Sequence, residues 1–212
     1  KLALLTPILK AFLTETAQET TSYGMQVFGG HGFIAEWGME QLARDTRICT
    51  MYEGTTGIQA IDLLARKVAG SNGKLLTVFT NDVKDYCKSI RDKSQFNAWS
   101  NSIDKHIDEW HQITQDIMQR AAKNPAELGA ASVDYLMYSG YIVIGYFWLK
   151  MAVVAQQKLD EGTSDPEFYK AKLHTAKFYF DRLLTRTRSL VSAMESGADN
   201  LMDMEEEQFN IV

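Results

Sequence analysis

Apolar residues recur at three- and four-residue steps along most of the chain, and that spacing predicts helices nearly throughout. The clearest run is Phe96, Trp99, Ile103, Ile107, Trp110, Ile113, Ile117 and Ala121, stopped by Asn124-Pro125. Before it, a stretch from about Lys74 to Ile90 turns Leu75, Phe79, Val83, Tyr86, Cys87 and Ile90 to one side. After it, a long helix is predicted from about Glu127 to Leu159, ending near Gly162. A fourth opens at Asp165-Pro166, a capping side chain followed by a residue preset for the first turn. It carries Tyr169, Leu173, Ala176, Phe180, Leu183, Thr187, Leu190 and Met194. Four such helices with short links predict an antiparallel bundle.

The chain ahead of this bundle is helical by pattern too. Thr6 reads as a cap and Pro7 as the first residue of a helix with Leu9, Phe12, Leu13, Tyr23 and Val27 at helical spacings, ending at "GGHGF". A shorter helix covers about Gly38 to Ile48. Thr55 or Thr56 then caps a third, with Ile58, Ile61, Leu64 and Val68 on one stripe. The sharpest boundary is "GSNG" at 70–73. It divides the expected organisation into a helical region 1–71, a bundle 72–198 and an acidic tail 199–212. With no strand pattern and no internal repeat, the predicted class is all-α.

One stretch, "YLMYSGYIVIGYFWLKMAVVA", is 21 residues long and nearly bilayer-spanning by length. Lys150 lies inside it, Ser139-Gly140 and Gly145 interrupt it, and no strong positive cluster flanks it. No membrane span is expected. The reading is a helix buried on most sides, whose glycines let a neighbouring helix approach closely.

Composition narrows the function. The 212 residues are 45% apolar, enough for a real core, and carry a formal charge of −5. Residues 72–212 hold 16 Lys and Arg against 20 Asp and Glu. Neither balance suits a nucleic-acid binder. Two cysteines far apart, Cys49 and Cys87, suit a reducing compartment. The first residue is Lys1, a helix begins almost at once and no signal peptide precedes it, so the chain reads as a piece of a longer polypeptide.

Candidate chemistry is sparse. Asp108 and His111 are three apart, as in a carboxylate-bridged metal site, but no matching pair exists on another helix, because Ala171 holds the equivalent place before His174. No metal is expected. "GGHGF" at 29–33 is glycine-rich like a phosphate loop, yet lacks a Walker lysine and a preceding strand. In "MYEGTTGIQ", Glu53 stands just outside a helix start between Tyr52 and Gly54. It is either a solvated loop charge or a base held over a substrate.

Taken together, "QVFGGHGF", "RDTRI", "YEGTTGIQ" and "ARK", in that order and spacing, resemble the C-terminal helical domain of the acyl-CoA dehydrogenase family. The longer tail and "DLLARK" resemble most the branch that includes 3-methylmercaptopropionyl-CoA dehydrogenase-like enzymes. The resemblance implies FAD-dependent α,β-dehydrogenation of an acyl-CoA thioester. It makes Glu53 the base, a desolvated carboxylate that takes the α-proton, with its own backbone N–H donating to the thioester carbonyl. Gly54 leaves room beside the acyl chain, and Tyr52, with the protein around it, excludes water. Thr55 matches a residue that touches FAD. Gln26, Gly29 and Gly30 match a turn that reaches the FAD of a neighbouring subunit. Gly57 offers backbone only, where the family commonly has a larger polar side chain. Arg44, Asp45 and Arg47 read as structural ion pairs.

The same resemblance implies a homo-oligomer, dimer or tetramer, an acceptor such as an electron-transfer flavoprotein, and a bacterial cytoplasmic or mitochondrial-matrix location, the former favoured. Two rivals stay open. One is a non-catalytic helical assembly module derived from the family. The other, a DNA-associated branch, conflicts with the acidic bundle. Taken alone, the chain is expected to be inactive.

Overall fold

Helix α6 (Ala126–Glu161) is apolar on nearly every side and sets the arrangement. Six consecutive residues, Tyr138 to Val143, are buried, so in this stretch every side of the helix is covered. A helix of that composition has to be surrounded. Around it stand α1 (Leu2–Phe28), α3 (Thr56–Ile61), α5 (Asn97–Ala121), α7 (Pro166–Phe178) and α8 (Thr187–Glu195). Helix α2 (Met39–Cys49) packs on α1, and α4 (Lys74–Ser89) packs on α5. The computed structural model describes residues 1–209, and no strand occurs among them. The protein is all-α. Among the described residues α6 is the one helix long and apolar enough to cross a membrane, and 61% of its most apolar window is buried inside the protein.

The long helices pair antiparallel. Arg120 with Glu127, Thr114 with Tyr135, and His106 with Tyr138 advance along α5 and α6 in opposite senses. Thr80 with His111 and Lys84 with Asp108 do the same for α4 and α5. The Gly70–Gly73 link turns through Asn72 and Gly73, both at positive φ (49° and 75°). One apolar cluster runs across that link, joining Leu4, Ile8, Phe12, Leu63 and Leu64 to Ile103, Tyr135 and Ile142.

The glycines of α6 let neighbours in. A Cβ on Gly140 would overlap the ring of Phe12 from α1, and one on Gly145 would lie 3.0 Å from Ile103 Cδ1. Phe12 also meets Tyr141 edge-on at 4.9 Å. Beside this contact, Arg186 Nη1 donates to both Glu19 carboxylate oxygens at 2.8 and 2.9 Å, and to Tyr141 Oη. The hydrogen bond from Tyr23, and then the Arg186 guanidinium, hold the Glu19 carboxyl below the ordinary range. Helix α1 is thereby fastened to both α6 and the start of α8.

Several expectations need correction. Helix α1 starts at Leu2, with Pro7 inside it rather than at its first position. In the second turn the ring forfeits a single backbone bond, and burying Leu4, Pro7 and Ile8 favours the longer helix. Leu13, Tyr23 and Val27, expected on the apolar stripe of α1, are exposed. Leu76, not Leu75, is the fully buried residue in the first turn of α4. The fourth long helix is broken by a π-helical turn at Tyr179–Leu183 and a 3-10 turn at Leu184–Arg186. The wide turn shifts the phase of the stripe. Tyr179 and Leu184 are buried and Leu183 only partly so. Trp110 and Phe180 are buried as expected, whereas Trp99 is partly buried, stacked on Phe180 at 4.9 Å. The tail forms a short helix at Asp199–Met202 and a 3-10 turn at Glu206–Phe209, both exposed. Its residues 210–212 lie outside the described residues.

Overpacking the Gly140 contact gives a direct test. Gly140→Ala is expected to lower stability by about 1–3 kcal/mol, as forced insertion of a methyl into a packed core does. Urea unfolding should show a lower midpoint at unchanged slope. Adding Phe12→Leu should return part of the loss.

Candidate functional site

Between α2 and α3 the chain makes a tight reversal that carries Glu53. After Cys49 the helix unwinds through Thr50 N–H to Arg47 O, Met51 N–H to Ile48 O (3.0 Å) and Tyr52 N–H to Ile48 O (3.2 Å). Glu53 then adopts φ +57° and Gly54 φ +92°. A left-handed conformation is ordinary for glycine and costs a glutamate about 1–2 kcal/mol. The chain re-enters a helix at Thr55, whose Oγ1 accepts from Ile58 N–H at 3.4 Å. Thr55, not Thr56, is therefore the cap.

The reversal is held from the protein side. Gln59 Nε2 donates to the Glu53 carbonyl at 3.0 Å, and Lys10 Nζ to the Gly54 carbonyl at 2.6 Å. Gln59 N–H donates to the Thr55 carbonyl at 3.0 Å. The Thr56 hydroxyl bonds Glu15. By contrast, the N–H groups of Glu53, Gly54 and Thr55 have no acceptor among the described residues. Carbonyls face inward, and donors are left free beside an exposed carboxylate.

Glu53, Gly54, Thr55 and Gly57 are thus brought together, with Lys10, Glu15 and Gln59 beneath them. Glu53 itself is exposed. The expectation of a desolvated carboxylate is not met within this chain, because α1 covers only one side of the reversal. Tyr52 does not cover it either. Its ring is exposed and its hydroxyl donates to Cys49 Sγ at 3.7 Å. That contact, with a smaller contribution from Glu53, pushes the Tyr52 phenol above its ordinary value.

Gln26, Gly29 and Gly30 lie at the other end of α1. Sixteen residues of helix separate Lys10 from Gln26, about 24 Å, so the two groups form separate sites. Gly29 ends α1 at φ +59°, and a 3-10 turn follows at Gly29–Phe33. The turn is pinned where Gly32 meets the Met25 backbone, too closely for any Cβ. His31 packs edge-on against Trp37 at 5.3 Å. Around the turn Val27, Phe28, Phe33, Ile34 and Trp37 are exposed, a broad apolar surface.

An added Cβ at Gly29, Gly30 or Gly57 would meet nothing of this chain. Packing inside the chain does not require a bare backbone there, and a flat group approaching from outside finds room at all three. Of the expected ion pairs, Arg44 joins Glu40 at 3.8 Å, whereas Asp45 and Arg47 have no such partner among the described residues. His111 Nε2 bonds Thr80 Oγ1 at 2.8 Å, and Asp108 pairs with Lys84.

Sequence reasoning passed over Lys10, Glu15 and Gln59. Gln59 stands inside the quoted motif, and its position six residues after Glu53 was the available signal. Lys10 and Glu15 lie more than forty residues before their partners Gly54 and Thr56, on a helix whose polar face carries no mark.

Two family models match the chain. One, described as acetyl-CoA dehydrogenase C-terminal like, covers residues 79–205. The other, acyl-CoA dehydrogenase C-terminal domain, covers residues 3–68. Among curated proteins, the chain is similar to 3-methylmercaptopropionyl-CoA dehydrogenase of Ruegeria pomeroyi, 33% identical over 93% of this chain and 34% of that protein. It is similar to the broad-specificity linear acyl-CoA dehydrogenase FadE5 of Mycobacterium tuberculosis, 29% identical over 97% of this chain and 35% of that protein. A butyryl-CoA dehydrogenase of Syntrophomonas wolfei is 28% identical over 96% of this chain and 34% of that protein. The chain spans about a third of the length of these relatives.

The glycines separate conformational need from open space. Gly57→Ala, on a helix with nothing near the new methyl, should stabilise the chain by about 0.4–1 kcal/mol. Gly54→Ala, at positive φ and 2.8 Å from Gln59 Nε2, should destabilise it by about 1–2 kcal/mol. Paired urea melts would read both, and shifts of the same sign would contradict the geometry.

Proposed function

Because this chain belongs to the acyl-CoA dehydrogenase family, we propose that it is the C-terminal part of a flavin-dependent enzyme that introduces a trans α,β double bond into an acyl-CoA thioester. The observation that carries this reading is the 52–55 reversal: an accessible carboxylate beside its own unengaged N–H, with the carbonyls of Glu53, Gly54 and Thr55 tied back.

The chemistry asks for that combination. An α C–H next to a thioester is a weak acid, and polarising the carbonyl makes the proton removable. The Glu53 N–H donates to the thioester oxygen as negative charge gathers there. The Glu53 carboxylate takes the α-proton, and the β-hydrogen departs as hydride. FAD, when bound, supplies the acceptor for that hydride. The bare backbone at Gly57 and the Thr55 hydroxyl fit a flavin approaching from outside the chain. The Gln26–Gly30 turn, about 24 Å away along α1, suits a different part of the cofactor assembly, contributed to a neighbouring subunit. Gly54 keeps a side chain away from the acyl group. The exposed apolar surface around Phe28, Phe33 and Trp37 supports an oligomer. An electron-transfer flavoprotein as acceptor and a cytoplasmic setting complete the proposal.

In the complete protein, Glu53→Gln is expected to retain FAD and bind acyl-CoA but to slow flavin reduction by about 10²–10⁴-fold. A reductive half-reaction within about tenfold of the parent would overturn the assignment. The 212-residue chain by itself should be colourless and inactive. It offers one wall of a site, and ligand sites enclose most of their ligand. After incubation with excess FAD and desalting, no flavin absorbance should remain. Retention near one flavin per chain would show that the wall suffices.

A further inference from the structure

We infer that Lys10 is a positioning residue for the base, an inference that rests on the assignment of Glu53 to proton abstraction. Lys10 lies on α1, far from Glu53 in sequence, and its ammonium sits 2.6 Å from the Gly54 carbonyl oxygen. It is half-buried and has no carboxylate partner among the described residues. Glu15, the acidic residue closest after it on α1, is engaged by Thr56 instead.

The geometry gives this contact a specific task. In a trans peptide the C=O and N–H point in opposite directions, so holding the Gly54 carbonyl inward turns the Thr55 N–H outward. Gln59 does the same for the peptide between Glu53 and Gly54. Together the two donors fix both peptide planes that follow the Glu53 α-carbon. Glu53 is held at φ +57°, a conformation that persists only where its surroundings over-determine it. Gln59 belongs to the helix that the reversal itself starts, so it fixes local shape. Lys10 belongs to another element, and it sets where the reversal stands relative to the rest of the protein. A charged donor is also the stronger kind, suited to a contact that must not slip. Glu15 adds a second tie from α1 at Thr56, farther from the carboxylate.

The test uses the complete flavoprotein and three variants, Lys10→Met, Lys10→Arg and Glu53→Gln. Four quantities are read: FAD content, the Kd for an acyl-CoA, the rate of flavin reduction at saturation, and α-hydrogen exchange with D2O. Exchange is followed by mass in a thioester analogue with sulfur at the β-position, which can lose its α-proton but has no β-hydride. Lys10→Met is expected to keep FAD and hold the Kd within about twofold, while reduction and α-exchange both fall by about 10–100-fold, the scale of a base displaced by about an ångström. Lys10→Arg, which can still donate to the carbonyl, should recover most of both rates. Lys10→Met rates within about threefold of the parent overturn the inference, as does a Lys10→Arg protein that holds FAD yet exchanges as slowly as Glu53→Gln. If Lys10→Met does not retain FAD, the Lys10→Arg comparison decides alone. Undiminished exchange in Glu53→Gln would instead remove the base assignment itself, whatever Lys10 does.

Discussion

A long helix that is apolar around its whole circumference cannot stand in water, and most of this architecture follows from satisfying α6. Five other helices are drawn against it, from both regions of the chain. Its buried polar groups are answered locally: Ser139 bonds back to the Tyr135 carbonyl, and Tyr138 finds Glu109 on α5. Where an aromatic side chain must fit close to the backbone of α6, glycine is present. The reversal bearing Glu53 inherits its position from this packing. It is tied to α1, and α1 is fixed by Phe12 against α6 and by Glu19 against Arg186.

The site has two faces of opposite character. Toward the protein, three consecutive carbonyls are engaged by Gln59 and Lys10. Away from it, three N–H groups and a carboxylate are left without partners among the described residues. Such an arrangement has its hydrogen-bonding capacity directed outward before any ligand arrives, which avoids reorganisation when charge develops on a bound thioester.

How much of this could be read from residues alone depends on whether the cause is local. The α5 stripe Ile103, Ile107, Trp110, Ile113 and Ile117 is a matter of period, and it packs as the period implies. The Asp165 cap and the Gly162 stop are likewise local and are found in place. Pro7 misled because its usual place is a first turn, while the burial of Leu4 and Ile8 decided the true start. The π turn at Tyr179–Leu183 has no marker in the sequence. It arises where Tyr179, whose hydroxyl reaches the Tyr141 carbonyl, and Phe180 are both drawn toward the core. At the candidate site, the motif made Glu53, Gly54 and Thr55 conspicuous and left Lys10 invisible, because a tie between distant elements is a property of the fold. The exposure of Glu53 was equally hidden, since desolvation comes from whatever faces the reversal, and this chain supplies only its floor.

The meeting of Phe12 with Gly140 has a historical side. The two residues lie in regions matched by two different family models. While the ring stands at position 12, any residue with a side chain at position 140 collides with it. Shrinking the ring first leaves a hole against α6, which is also costly. Each single step away is uphill, so the costs of changing the two residues are coupled. A lineage carrying this pair leaves it at least cost by changing both, which ties the sequence choice in one region to the sequence choice in the other.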